Sequence, residues 1–314
     1  MVGGSWILLA YVAGISLCFL CLVYMLSLFL EHWRRKTIKD KIVLITGATS
    51  GLGRACAEVF YKAGCHVILS GRSTSKLEET RTALQENAVG GGKHELHMVT
   101  MDLEDLASLQ EKCQEAVSIF GEIDILINNA GVSFRGQIEN TSLEVDQKVM
   151  LVNYFGHVAL TKAILPTMRN QGRGHIVGIS SIQGKISIPY RSAYSASKHA
   201  FQAFFDCLRA EVADRNIAVT VISPGYVKTN LSVNAVCEDG SKYGVTDKTT
   251  AAGMSPEYVA MQVLNSVIMG RKDVILASFV PRIAVFIRTL LPGLFFKLMA
   301  SRAEKQKHDF MKNK

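Results

Sequence analysis

"VLITGATSGLGRACAEVF", Val43 to Phe60, decides the fold. It opens as an apolar run of strand length, passes through a glycine-rich turn and continues with apolar residues at helical spacing. The turn holds Gly47, Gly51 and Gly53. Glycine lets the backbone turn tightly and approach a ligand with no Cβ in the way. A helix that starts directly after such a turn presents unpaired N–H groups and the positive end of its dipole. Strand, loop and helix N-terminus together seat a pyrophosphate. Thr46, Gly47, Ser50, Gly51, Leu52 and Gly53 are therefore the expected cradle of a dinucleotide. Their spacing is TGxxxGxG rather than GxGxxG, but the context of strand before and helix after is the required one.

Working outward, the same alternation repeats. "KIVLIT", "HVILS", "ELHMVT", "IDILIN", "HIVGIS", "AVTVIS" and "DVILA" are seven short apolar runs, separated by helix-like stretches such as "SLQEKCQEAVSIFG". Strands that are apolar throughout are buried on both faces, which means a parallel sheet with helices on each side. The expected fold class is α/β: a Rossmann-type, doubly wound, seven-stranded parallel sheet over residues 37–278. The stretch from Leu231 to Ala252 is polar and irregular, long enough for a lid or a plain surface excursion. "VGGG" at Val89 to Gly92 reads as a surface loop.

The second strand decides the cofactor. NAD enzymes place an acid there to hold the ribose hydroxyls. This chain has Gly71 and Arg72 instead, so no carboxylate repels a 2′-phosphate and a guanidinium can pair with it. NADP(H) is the preferred cofactor and NAD(H) the second choice, the alternative for Arg72 being a solvated strand end. Asp102, with Leu103 beside it, would reach the adenine side of the cleft, or serve as a helix cap in "DLEDLASL".

Further along, "YSASKHAFQAFFDCLRAE" reads as an amphipathic core helix that opens with Tyr194 and Lys198. Four residues is about one turn, so phenol and ammonium share a face. A free phenol titrates near ~10, and a neighbouring positive charge favours its ionised form. Alone, such a pair is of no consequence. It does not stand alone. "TGATSGLG", "NNAG" (Asn128 to Gly131), the Asn of "LVNYFG" (Asn153), Ser180 and Ser181, "YSASK" and "SPGYVKT" stand in the order and spacing of the short-chain dehydrogenase/reductase family, which the chain resembles from about Ile38 to Ala277.

The resemblance implies an NAD(P)-dependent oxidoreductase acting on CH–OH or C=O groups. It makes Tyr194 the proton donor, Lys198 its electrostatic partner and holder of the nicotinamide ribose, and Ser181 the group that binds and orients the substrate carbonyl. Asn153 would hold a water linking Lys198 to solvent. Asn129, Ala130 and Gly131 would line the adenine ribose, with Asn128 bracing the central strands. Pro224, Gly225, Val227 and Thr229 would lie over the nicotinamide carboxamide. Ser180 is the neighbouring alternative to Ser181. Tyr190, Phe134 and the loop after Leu231 could line the substrate pocket, and Lys185 and Arg191 are candidate phosphate partners. Within the family the likeness is to membrane-anchored members, those linked to acyl- and alkyl-dihydroxyacetone phosphate first and hydroxysteroid dehydrogenases second. Two other readings stay open, a hydroxysteroid oxidoreductase and a nucleotide-binding scaffold without turnover. The family also implies a homodimer.

The flanks point to a membrane. Trp6 to Leu30 carries no charge over a length that spans a bilayer, and Arg34, Arg35 and Lys36 follow it. Residues 1–36 are the expected N-terminal transmembrane anchor and its basic flank. A cleaved signal peptide would have a basic start and a shorter apolar core. The flanking charge predicts a cytosolic catalytic domain, whereas the sequons at Asn140 and Asn230 point the other way. Residues 279–314 hold a second apolar stretch, Phe279 to Ala300, interrupted by Arg282, Arg288 and Lys297, and then a basic tail. Those charges exclude an easy second span and predict an interfacial amphipathic helix pair; a buried helix or an oligomer contact are the alternatives.

The net charge of +8 gathers largely beside these apolar segments, which favours membrane lipids over nucleic acid. Seven cysteines without zinc or disulfide spacing predict no metal site. The expected location is the endoplasmic reticulum membrane, with a peroxisomal pool as a second possibility, although the C-terminal "KNK" is not a peroxisomal address. The expected partner is a lipophilic small-molecule ketone or alcohol.

Overall fold

The structure, a computed structural model, describes residue 14 and residues 38–87 and 94–312. The expected anchor, Trp6 to Leu30, apart from residue 14, and the "VGGG" loop lie outside the described residues.

In chain order the elements are β1 (Ile42–Thr46), α1 (Gly51–Lys62), β2 (His66–Gly71), α2 (Thr74–Glu86), β3 (Leu96–Thr100), α3 (Leu109–Phe120), β4 (Ile125–Asn128), β5 (Phe134–Arg135), α4 (Leu143–Met150), α5 (Gly156–Gln171), β6 (Gly174–Ile179) and α6 (Ser192–Glu211). Then come β7 (Ile217–Pro224), β8 (Val236–Cys237), α7 (Lys248–Ala251), α8 (Pro256–Ile268), β9 (Asp273–Leu276), α9 (Phe279–Leu290) and α10 (Pro292–Lys312). Seven strands form one parallel sheet in the order β3-β2-β1-β4-β6-β7-β9. Every one of them is an apolar run read from the sequence.

Alternation along β1 shows why the sheet needs two layers of helix. Val43 and Ile45 enter one core with Phe60 of α1 and Val263 of α8. Ile42 and Leu44 enter the other with Leu160 of α5 and Phe201 and Phe205 of α6. The register Val43↔Val67 and Val43↔Ile125 places β1 centrally, between β2 and β4. The chain order reverses there, and in such sheets the crevice at the carboxyl ends of the strands is where ligands bind.

Burial pushes the thiols of Cys56, Cys65 and Cys113 up to about 12, so these cysteines pack as small apolar groups. Leu143–Gln171 is long and apolar enough to cross a membrane by composition, but it packs into the core of this domain. At the amino ends of the strands, Asp124 accepts from the Ile42 amide (3.0 Å), Lys41 (2.9 Å) and Arg173 (3.1 Å).

The irregular stretch after Leu231 is tied to the domain, the Ser142 amide donating to the Glu238 carbonyl (3.2 Å) and the Gln137 amide to the Glu238 side chain (2.9 Å). β8 pairs with β5 through Phe134↔Val236 and Arg135↔Cys237, and α7 adds a single helical turn. The C-terminal segment folds as two helices meeting at Leu291, directly before Pro292. Phe295 is buried between them and the domain, with Ile182 and Ile186.

Candidate active site

The glycine loop sits at the carboxyl end of β1. Gly47 and Gly51 adopt φ of +66° and +52°, the left-handed region that side chains resist. Gly53 is required for another reason: a Cβ there would lie 2.1 Å from the Gly47 carbonyl oxygen and 2.5 Å from Asn129 Nδ2. α1 starts without a side-chain cap and without an acid in its first turn. Its first amides, with no intrahelical partner, lie open to a negative group. The loop therefore fits a dinucleotide phosphate.

Neighbouring strands brace the loop. Thr46 Oγ1 accepts from the amides of Asn129 (2.9 Å) and Ala130 (3.1 Å), and Asn129 Nδ2 donates to the Thr46 carbonyl (2.8 Å). Thr229 lies against Gly51, its Cγ2 3.0 Å from where a Cβ would stand. The "PGYVKT" turn is fixed by Gly225 N to Leu276 O (2.7 Å) and Lys228 N to Met254 O (2.9 Å), with Val227 bridged to Met254. Pro224 closes β7, so the turn begins at the carboxyl edge of the sheet.

At the carboxyl end of β2, Arg72 is exposed and 3.5 Å from Glu104. Asp102 accepts from the Glu104 amide (3.0 Å), which holds that turn. Leu103 is buried against Gly156, where a Cβ would come within 2.6 Å of the Leu103 carbonyl. Glu104, which the sequence reading did not weigh, thus stands beside the proposed 2′-phosphate arginine.

The structure brings Ser181, Tyr194, Lys198 and Asn153 together. Tyr194 and Lys198 face inward from the first turns of α6, and both are buried. Ser181 stands close enough to the Tyr194 phenol to favour its ionised form, and its Oγ accepts from the Gln183 amide (3.1 Å). Ser180 Oγ is buried without a partner, pressed towards Gly184, so Ser181 is the serine at the phenol. Burial raises the Tyr194 pKa above the ordinary phenol value, and Ser181 and the Arg135 charge oppose the rise. Lys198 Nζ lies 6.0 Å over the Tyr194 ring, and the Arg135 charge reaches the phenol as well. Lys198 Nζ donates to the Ile179 carbonyl (2.9 Å) and lies 4.8 Å over the Phe201 ring, and burial draws its pKa down to about 8.

Asn153 occupies a π-helical turn, Leu151–Phe155, between α4 and α5. Such turns recur at functional sites because they offset side chains and free backbone groups. Asn153 clamps Val132, accepting from its amide and donating to its carbonyl, both at 2.9 Å. Its second amide hydrogen goes to Ser197 Oγ (3.0 Å). The side chain thus has no donor left for the expected water.

Asn128 and His157 form a buried brace behind "NNAG". His157 Nε2 lies 2.7 Å from the Ala130 carbonyl and Nδ1 3.0 Å from the Asn128 amide. A carbonyl only accepts, so Nε2 carries the proton; burial, with the charge of Lys198 adding to it, lowers the His157 pKa to about 3 and keeps the ring neutral.

Phe134 is buried in one cluster with Tyr194, and Tyr190 has a φ of +62°. The Tyr190 hydroxyl donates to the Ala303 carbonyl of α10 (3.1 Å), and Arg302 donates to the Tyr226 hydroxyl (3.2 Å). The C-terminal helix is therefore fastened to residues beside the site, a link no motif announced. Lys185 turns away and pairs with Asp273 (2.7 Å).

Comparison with known proteins agrees with this geometry. Residues 41–239 match the family described as short chain dehydrogenase. The chain is 55% identical over 295 residues to mouse (Mus musculus) dehydrogenase/reductase SDR family member 7B, covering 93% of this chain and 91% of the relative. A short-chain dehydrogenase from Streptomyces avermitilis superposes with a TM-score of 0.68 at 29% identity, over 86% of this chain and 97% of that one. A short chain dehydrogenase/reductase from Burkholderia phymatum in complex with NAD shares the fold, with a TM-score of 0.68 at 24% identity, over 76% and 89%. The chain belongs to the short-chain dehydrogenase/reductase family of NAD(P)-dependent oxidoreductases.

Proposed function

We propose that the chain is a membrane-anchored, NADPH-dependent carbonyl reductase whose substrate is a lipophilic ketone of the acyl- or alkyl-dihydroxyacetone phosphate class. The observation that carries the reading is the buried Tyr194 phenol, with Ser181 beside it and Lys198 Nζ 6.0 Å over its ring. The nicotinamide supplies the hydride when bound. Ser181 and Tyr194 take the substrate oxygen between them. Tyr194 keeps its proton across neutral pH, because its pKa is raised, and donates that proton as charge develops on the oxygen. Lys198 holds a positive charge behind the phenol and favours the tyrosinate left after transfer. Asn153 fixes the Val132 turn against that face.

Gly47, Ser50, Gly51, Leu52 and Gly53 would hold the pyrophosphate, and Thr229 and Val227 the nicotinamide end. Arg72 is the residue in position for a 2′-phosphate; Glu104 then has to share it, and NAD(H) remains the competing cofactor. The C-terminal helices support delivery from a bilayer. Phe279, Val280, Phe286, Leu290 and Phe296 are exposed, while Phe295 faces the domain. Arg288 lies over the rings of Phe295 and Phe296 (6.0 and 5.0 Å), a cation laid along apolar surface at the edge of that face. The contacts of Arg302 and Ala303 with Tyr226 and Tyr190 would set that face beside the substrate entrance.

The test is NADPH oxidation by full-length protein in detergent, offered acyl-dihydroxyacetone phosphate and, separately, an 11-keto steroid. Turnover of the glycerolipid that disappears in Tyr194→Phe is the expected result. Turnover of the steroid alone would make the chain a ketosteroid reductase. Silence on both with NADPH bound would favour a nucleotide-binding scaffold.

A further inference from the structure

Two arginines are buried beside the tyrosine. Arg135, on β5, is 5% exposed, and Arg191, directly before α6, is 9% exposed. Both meet one carboxylate oxygen, Asp247 Oδ2, which lies 2.5 Å from Arg135 Nη2, 3.1 Å from its Nε and 3.5 Å from Arg191 Nη2. Arg135 is otherwise well held: Nη1 donates to Ser133 Oγ (2.6 Å) and to the Phe134 carbonyl (2.9 Å), and the group stands 5.8 Å over the Tyr243 ring. Arg191 gives Nη1 to the Tyr190 carbonyl (2.8 Å) and has only the long contact to Asp247. Glu238, the other acid near this strand, accepts from the Gln137 amide (2.9 Å).

Two guanidiniums on one carboxylate oxygen leave the cluster one positive charge in excess, in a place that water barely reaches. A buried charge without its own partner is costly. Burial and the like charge of Arg135 together draw Arg191 down to about 9, and Asp247, Tyr226 and Tyr243 offset this only in part. Among the described residues the Asp247 carboxylate is held by these two arginines alone. Asp247 precedes the single turn α7 and makes no side-chain cap to it. It belongs to the irregular stretch after Leu231, whose strand pairing with the domain, β5–β8, lies ten residues before it, at Val236 and Cys237. The cluster is electrostatically close to the reacting group, since the Arg135 charge is felt at the Tyr194 phenol.

We propose that Arg191 and Arg135 form a binding site for an anionic group of the substrate, a phosphate monoester or a carboxylate, and that Asp247 occupies this site until the anion displaces it. The enzyme would thereby select ketones that carry such a group on an apolar chain. The inference rests on the reductase reading only in placing the ketone at Tyr194. The geometry suits it: a guanidinium fork binds phosphate or carboxylate through paired hydrogen bonds, and a displaced Asp247 moves with its loop.

The experiment measures binding and not turnover. Full-length protein carrying Tyr194→Phe, in nonionic detergent with NADP, is titrated with dodecyl phosphate, dodecanoate and dodecanol. The expected result is that at least one anion binds ten-fold or more tightly than the alcohol. The better of the two anions identifies the head group. Arg191→Gln should abolish that preference, leaving Arg135 and Asp247 as a neutral pair. Asp247→Asn should enlarge it, because the competing carboxylate is gone. A structural role alone would make both substitutions lower stability while leaving the anion-to-alcohol ratio unchanged, and that result would overturn the proposal. Equal binding of all three ligands by the parent would overturn it too. Failure of the reductase reading shows separately, as absent turnover in protein that has Tyr194.

Discussion

Replacing Gly53 by alanine tests the cofactor loop at its tightest point. The added Cβ would stand 2.1 Å from the Gly47 carbonyl oxygen and 2.5 Å from Asn129 Nδ2, where ordinary contacts begin at 3.4 Å. The Gly47 carbonyl would have to retreat by roughly 1.3 Å, and overpacking of this kind costs about 1–3 kcal/mol. The neighbour in the way is backbone, so no rotamer change relieves it. Asn129 would also have to leave the Thr46 carbonyl, which it now bonds at 2.8 Å. Both movements disturb the amides that are proposed to hold the pyrophosphate. We expect NADPH affinity to fall by at least ten-fold, which is about 1.4 kcal/mol, and Tm to fall by about 2–4 °C for each kcal/mol of strain. Gly293→Ala is the control, since a Cβ there meets nothing within 4 Å. The assay is quenching of protein fluorescence by NADPH, with thermal unfolding in parallel. Equal NADPH affinity in Gly53→Ala and Gly293→Ala would refute the packing argument.

Other substitutions read separate parts of the account. Arg72→Asp should move the preference from NADPH towards NADH, measured as the ratio of the two dissociation constants; an unchanged ratio would remove Arg72 from phosphate recognition. Asp124 tests acid stability. Burial alone would raise its pKa, but the Ile42 amide, Lys41 and Arg173 hold it below the ordinary carboxylate value. Its contribution is therefore present above the unfolded-state pKa and lost as pH falls through the folded one. Asp124→Asn should lower Tm at neutral pH and flatten its decline on acidification; parallel Tm–pH curves for the two proteins would contradict this.

The seven strands were legible because each is a short run apolar on both faces, and strands buried in this way sit in a parallel sheet. Gly53 was legible because strand, glycine and helix come together in eighteen residues. Tyr194 and Lys198 were legible only through the ordered set of motifs around them, since a tyrosine and a lysine one turn apart are common on helices. The π turn at Asn153 left no trace in composition, because it changes hydrogen bonding and not residue type. β5 and β8 were missed because two residues carry no periodicity. The pairing of Arg135 with Asp247 joins positions 112 residues apart, and nothing local at either end announces it. The fastening of α10 to Tyr190 and Tyr226 is likewise a product of tertiary packing.

The most direct test of the central claim is to measure NADPH affinity and the rate of hydride transfer together in Tyr194→Phe, on whichever ketone the parent protein reduces. The ring, its burial and the loop around Gly53 are kept, and only the hydroxyl next to Ser181 is lost. General acid catalysis contributes about 10²–10⁴-fold. The account predicts a loss of that size in rate with NADPH affinity within about two-fold of the parent. A variant that turns over within a few-fold of the parent would contradict the assignment of Tyr194 as the proton donor.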